Sequence, residues 1–371
     1  MIPTLKADRF LTIVAVLLLL QGCGEPEPIK IGFIGGTSGR VADLGVNGRN
    51  AAILATEQVN ARGGINDRPV ELLIRDDQQN PKLAAKHATE LTSLPVTAII
   101  GPMTSAMAVV VEPIATASGT LVMGTTVTTN NLTGRDDLFF RTLAATRHNA
   151  SHHARYQLDQ GIRSFSLIMD TRNRAYTQSW VDDFSEAFKA GGGTIIEVIP
   201  FVSSTHAPFP QLARQLVETQ AQGIALVSNS VDAALLIQHI RKYDLQVQIL
   251  TSEWAGTERL IELGGQATEG VFVSQYLDRS SKASKYLNFR DTFMKRFGQE
   301  PGFPALVSYN STQIVFEALR QQRQGESLKQ ALLRIRTFEG VQKPIRFDDY
   351  GDTKNRTYIT QVINGRFRVV E

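Results

Sequence analysis

The chain of 371 residues carries 39 basic and 36 acidic side chains, a formal net charge of +3, with 42% hydrophobic and 20% charged residues. That near-balance, with no cluster of Lys and Arg, marks no face for nucleic acid. A single cysteine excludes an internal disulfide, and the length exceeds the roughly 250–300 residues that one hydrophobic core fills, so two packed units are expected.

Lys6 and Arg9 precede the apolar run from Leu11 to Leu20, and small Gly22 precedes Cys23. These are the basic, oily and small-residue parts of an export signal. The oily run is only about half of the ~20 residues needed to span a bilayer, so residues 1–22 are expected to be cleaved as a lipoprotein signal peptide. Leu20-Gln21-Gly22-Cys23 resembles the lipobox of bacterial lipoproteins, in which the cysteine is acylated and becomes the first mature residue. By that resemblance Cys23 carries lipid, and residues 23–28, rich in Pro and Glu, form a short stiff tether. The expected place is the cell envelope, lipid-anchored on the periplasmic side of a bacterial membrane.

From Ile29 onward, β-branched runs alternate with amphipathic stretches. Strands are predicted at 29–34, 70–76, 96–100 and 120–123, separated by helices at 46–61, 81–94 and 105–118. After Phe139-Phe140-Arg141 the rhythm resumes, with helices at 148–160, 176–190, 209–221 and 231–243 and strands at 164–170, 194–201, 223–228, 246–252 and 271–275. The last predicted helices, 282–297, 305–323 and 327–336, have too few strands for a third unit and must pack back onto one already made. The fold class is α/β, two doubly wound Rossmann-like lobes in tandem. Ligands of such sheets bind at the carboxyl ends of the strands.

Several stretches carry a family resemblance: "IKIGFIGGTSG", "NARGGINDRPVELLIRDDQQNPKLA", "AIIGPMTSAMAVVVEPIA", "DTRNRAYTQSW", "LTSEWAG", "SYNSTQIVFEAL" and "IRFDDYGD". In order and spacing the chain from Ile29 to about Phe367 resembles the type 1 periplasmic binding proteins, in their leucine/isoleucine/valine-binding branch. The resemblance implies three crossover segments, near Arg141 to Thr146, Val271 to Tyr276 and Val341 to Ile345. One lobe would then comprise 29–143 plus 272–342 and the other 144–271 plus 343–371. It also implies an extracytoplasmic solute-binding protein that captures an amino acid or close analogue and delivers it to an ABC permease, with no cofactor.

An amino acid offers a carboxylate and an ammonium, so its receptor needs aimed donors on one side and a buried anion on the other. By the resemblance, Ser105 and Thr128 serve the carboxylate end, Thr128 through its hydroxyl and N–H, while Thr126 offers mainly its backbone carbonyl to the ammonium and Glu253 holds that ammonium. Tyr176 closes over the ligand, and Asn229 stands at a further binding position where the type member has tyrosine. Plainer readings stand beside these: a serine capping its own helix, threonines in a turn, a solvated strand-end glutamate, a core tyrosine. Leu44, again in place of a tyrosine, and Asn310, in place of an aspartate, indicate an altered side-chain pocket.

A sensor or partner-binding module would use the same scaffold, because function lives in grafted sites. Enzyme classes find little support. The glycines at 32, 35, 36 and 39 miss the dinucleotide spacing, and His148, His152 and His153 lack the glutamate of a zinc protease motif. No nucleophile elbow is present either.

Overall fold

The computed structural model describes residues 26–355 and 357–371; the expected signal peptide, the lipidation site Cys23 and the start of the tether lie outside the described residues. Five parallel strands form the first sheet: β1 (Ile29–Gly35), β2 (Val70–Asp76), β3 (Val96–Ile100), β4 (Leu121–Gly124) and β5 (Phe139–Arg141), in the order β2-β1-β3-β4-β5. Their apolar runs are near-continuous because helices cover both faces. The order reverses beside β1, which opens a crevice at the carboxyl ends of β1 and β3.

The second sheet holds β6 (Ser164–Asp170), β7 (Thr194–Phe201), β8 (Gly223–Val227), β9 (Gln248–Thr251) and β10 (Phe272–Gln275), all parallel. An antiparallel hairpin, β13 (Tyr358–Ile363) and β14 (Arg366–Val369), completes it in the order β14-β13-β10-β9-β8-β6-β7. A small ladder pairs β11 (Thr337–Phe338) with β12 (Ile345–Arg346).

This pairing moves two expected boundaries. β10 is hydrogen-bonded into the second sheet, so residues 272–275 belong with the second lobe rather than the first. Residues 343–352 stay with the first lobe: β12 pairs with β11, the Phe347 ring meets Phe140 edge-on at 5.3 Å, and Asp352 accepts from Arg141 at 2.6 Å. The third crossing therefore follows Asp352, not Val341 to Ile345, and Thr353 is bridged to Ala144 of the first crossing.

Helix Arg174–Ala190 shows how sequence period becomes site geometry. Tyr176, Trp180, Phe184 and Phe188 recur every four residues and so share one stripe. Trp180 stacks on Phe184 with ring centroids 4.9 Å apart, Phe184 stacks on Phe188 at 5.5 Å, and Phe165 of β6 meets both edge-on. Such aromatic pairs contribute about 0.5–1.5 kcal/mol each beyond the area they bury. The stripe anchors the helix and carries Tyr176 and Trp180 to the cleft end of the second lobe.

Several polar contacts join the lobes among the described residues. Arg40 pairs with Asp232, and Asp43 accepts from the Ser230 hydroxyl at 2.6 Å and the Thr257 hydroxyl at 2.5 Å. Burial raises the Asp43 pKa, which those two hydroxyls oppose. Elsewhere Thr129 Oγ1 donates to the Ala175 carbonyl at 2.7 Å, and Asn130 Nδ2 to Asp183 at 2.7 Å.

Candidate functional site

The carboxyl ends of both sheets face one cleft, lined by Leu44, Met103, Thr126, Thr128, Asn173, Tyr176, Glu253, Trp254, Tyr276 and Phe303. After β3 the chain turns at Gly101, where φ is +102° and a Cβ would lie 2.1 Å from the Ile34 carbonyl oxygen. Only glycine fits that approach. The turn delivers Met103 under the cleft and starts helix Ser105–Ala117.

On the first lobe, Thr126 donates its hydroxyl to the Met103 carbonyl and lines the cavity. Thr128 lines it as well; Thr146 Oγ1 donates to the Thr128 carbonyl at 2.7 Å and lies 3.1 Å from its hydroxyl. Ser105 is buried but not among the lining residues. Its Oγ accepts the backbone N–H groups of Thr128 and Thr129 at 3.4 and 3.3 Å, so it buttresses the threonine loop.

Glu253 follows β9 and is 3% exposed. Its Oε2 accepts from Tyr176 Oη at 2.6 Å and from Trp180 Nε1 at 3.1 Å, and Oε1 lies 3.5 Å from Tyr276 Oη. Asn149 Nδ2 donates to Tyr276 Oη at 2.6 Å, which turns the phenol proton towards the carboxylate. All these partners are neutral, and among the described residues no cationic side chain pairs with Glu253. Burial pushes its pKa up, opposed by the Tyr176 and other hydrogen bonds. Burial and the Glu253 charge in turn hold the Tyr176 and Tyr276 phenols well above their ordinary value. The solvated strand-end reading of Glu253 is excluded.

Asn229, like Ser105, is an expected site residue that does not line the cavity. It caps helix Ser230–Tyr243: Oδ1 accepts the Asp232 N–H at 3.0 Å, while Nδ2 donates to Asp232 Oδ2 at 2.8 Å and Ser203 Oγ at 3.2 Å. Asparagine is among the best residues for that capping position, and its side chain is consumed there. Asn173, Trp254, Tyr276, Met103 and Phe303 line the cavity without having been singled out from sequence. Trp180 was not singled out either, although the four-residue aromatic spacing places it on the same helix stripe as Tyr176. Of the helix histidines, His153 is fully buried and bonded to Ser274 Oγ at 2.9 Å, and burial lowers its pKa to about 3. No group of three or more metal-ligating side chains occurs among the described residues.

Asp170, at the end of β6, is wholly buried. Its Oδ1 accepts the N–H groups of Arg172 and Ser203, and its Oδ2 has no partner among the described residues. Burial raises its pKa from 3.8 to about 6. A raised folded-state pKa means that its contribution to stability is complete below 3.8 and is lost as pH rises through 6. Asp170→Asn keeps the accepting oxygen and is expected to be more stable than the unaltered protein by up to roughly 3 kcal/mol at pH 7, with no gain at pH 3.5. Urea midpoints at the two pH values measure this, and an equal effect at both would refute it.

Two doubly wound lobes joined by three crossings, with an apolar cleft that buries one carboxylate between neutral donors, define a class of solute-capturing proteins. The chain belongs to the periplasmic binding protein family, whose model matches residues 28–366. It is a binding protein and not an enzyme. It is 22% identical over 355 residues to the leucine-, isoleucine-, valine-, threonine- and alanine-binding protein of Pseudomonas aeruginosa, spanning 95% of this chain and 94% of that one. The Leu/Ile/Val-binding protein of Escherichia coli is 21% identical over 341 residues, covering 91% and 92%. A leucine binding protein from Thermotoga maritima shares the fold with a TM-score of 0.85 at 20% identity, covering 92% of this chain and 98% of the other. A solute binding protein from Rhodopseudomonas palustris BisB5, in complex with 3,4-dihydroxybenzoic acid, gives 0.83 at 21%, covering 93% and 96%. No helix of the described residues is long and apolar enough to cross a membrane.

Proposed function

We propose that the protein captures a free α-amino acid or close analogue between its lobes and passes it to an ABC permease, while lipid on Cys23 holds it at the membrane. The observation that carries this reading is Glu253, a buried carboxylate surrounded by neutral donors and short of a cation. A ligand ammonium supplies that cation. Thr126 offers its backbone carbonyl to the ammonium, Thr128 offers its hydroxyl to the carboxylate, and Leu44, Met103, Trp254 and Phe303 favour an apolar side chain. A benzoate, as in one structural neighbour, brings no cation and would leave Glu253 against an apolar ring, which costs several kcal/mol.

Isothermal titration of the mature protein against the twenty amino acids, benzoate and 3,4-dihydroxybenzoate tests the reading. Heat of binding is expected from at least one apolar amino acid. Binding of an aromatic acid with silence from every amino acid would overturn it. For the anchor, labelled palmitate is expected to enter the unaltered protein and not Cys23→Ser, which leaves the membrane fraction.

A further inference from the structure

Asn173 occupies the position just before helix Arg174–Ala190, where an asparagine side chain ordinarily accepts an N–H of its own helix. Here it makes no such bond. Its Oδ1 reaches across to the first lobe and accepts the Ala106 N–H, at the start of helix Ser105–Ala117, at 2.9 Å. The residue is 3% exposed and lines the cleft beside Thr126 and Thr128. Because Oδ1 is committed to Ala106, the amide can turn only its Nδ2 hydrogens to the remaining space. Among the described residues Nδ2 makes no hydrogen bond. No lysine or arginine lines this cavity, so an anionic group inside it must be held by neutral donors.

Resting on the amino-acid reading above, we propose that Asn173 is a carboxylate-recognition residue contributed by the second lobe. Its Nδ2 donates to the ligand carboxylate while its Oδ1 clasps the helix of the first lobe. One amide thereby selects carboxylate over carboxamide at the ligand's acid end and joins that selection to closure.

Asn173→Asp separates recognition from clasping. A carboxylate at a helix start is at least as good an acceptor for the Ala106 N–H, so the clasp survives. The donor, however, becomes an anion facing the ligand anion. The twenty amino acids are titrated first, and the probes are the tightest binder and its α-carboxamide. In Asn173→Asp, affinity for the amino acid is expected to fall about ten- to hundredfold, the carboxamide to be affected far less, and the ligand-free melting temperature to hold. Unchanged affinity, or an equal loss for both probes, would overturn the proposal. Absence of amino-acid binding by the unaltered protein would overturn the functional reading, and this inference with it.

Discussion

Glu253→Gln is expected to weaken binding of the preferred amino acid by about 2–5 kcal/mol, thirtyfold or more, with little loss of fold stability. The substitution is isosteric. Its Oε1 can still accept from Tyr176 and Trp180, and its Nε2 can donate to Tyr276 Oη. What disappears is the charge that faces the ligand ammonium, and a cation buried against a neutral amide loses most of its compensation. The pH dependence has a definite sign. Only the ionised carboxylate attracts the ammonium, and burial raises the Glu253 pKa above 4.5, so affinity falls on acidification at higher pH than for an ordinary glutamate. The variant has no such acid limb. Titration calorimetry between pH 5 and 8 on both proteins reads both effects; a variant that binds as tightly as its parent would remove Glu253 from the site.

The largest stability loss is expected at Arg141. Its guanidinium is wholly buried at the end of β5 and bonds Asp352 Oδ1 at 2.6 Å, the Thr129 carbonyl at 2.8 Å and the Thr133 hydroxyl at 2.6 Å. Arg141→Met leaves Asp352 charged, nearly buried and without its cation, and should cost about 3–5 kcal/mol in denaturant unfolding. Asp352→Asn in the same chain should recover part of that, because the uncompensated charge is then gone. A loss below about 1 kcal/mol would show that water replaces the pair at little cost.

The sheets were legible because their strands are continuous β-branched and apolar runs between amphipathic helices, a pattern set by burial on both faces. The closing hairpin was not read, although Asn364-Gly365, with φ of +52° and +65°, lies in the turn between β13 and β14 and is a recognised turn signal. Lobe boundaries were misjudged at 272 and 343 because strand pairing is non-local: nothing in Phe272–Gln275 says that β9 and β13 will flank it. Glu253, Thr126, Thr128 and Tyr176, named through the family resemblance, line the cleft. Tyr276 and Trp254 were not named, since their place depends on how crossings and lobes meet. Asn229 and Asn173 show the limit directly. Both stand before a helix, yet one caps it and the other reaches into the opposite lobe, a choice made by tertiary contact.

The bridge between Ala144 and Thr353 has a mechanical consequence. Two neighbouring crossings laterally bonded make a flat ribbon, and a ribbon flexes readily about its thin direction while resisting shear and torsion. The halves can therefore part and meet like the covers of a book, with sideways sliding suppressed.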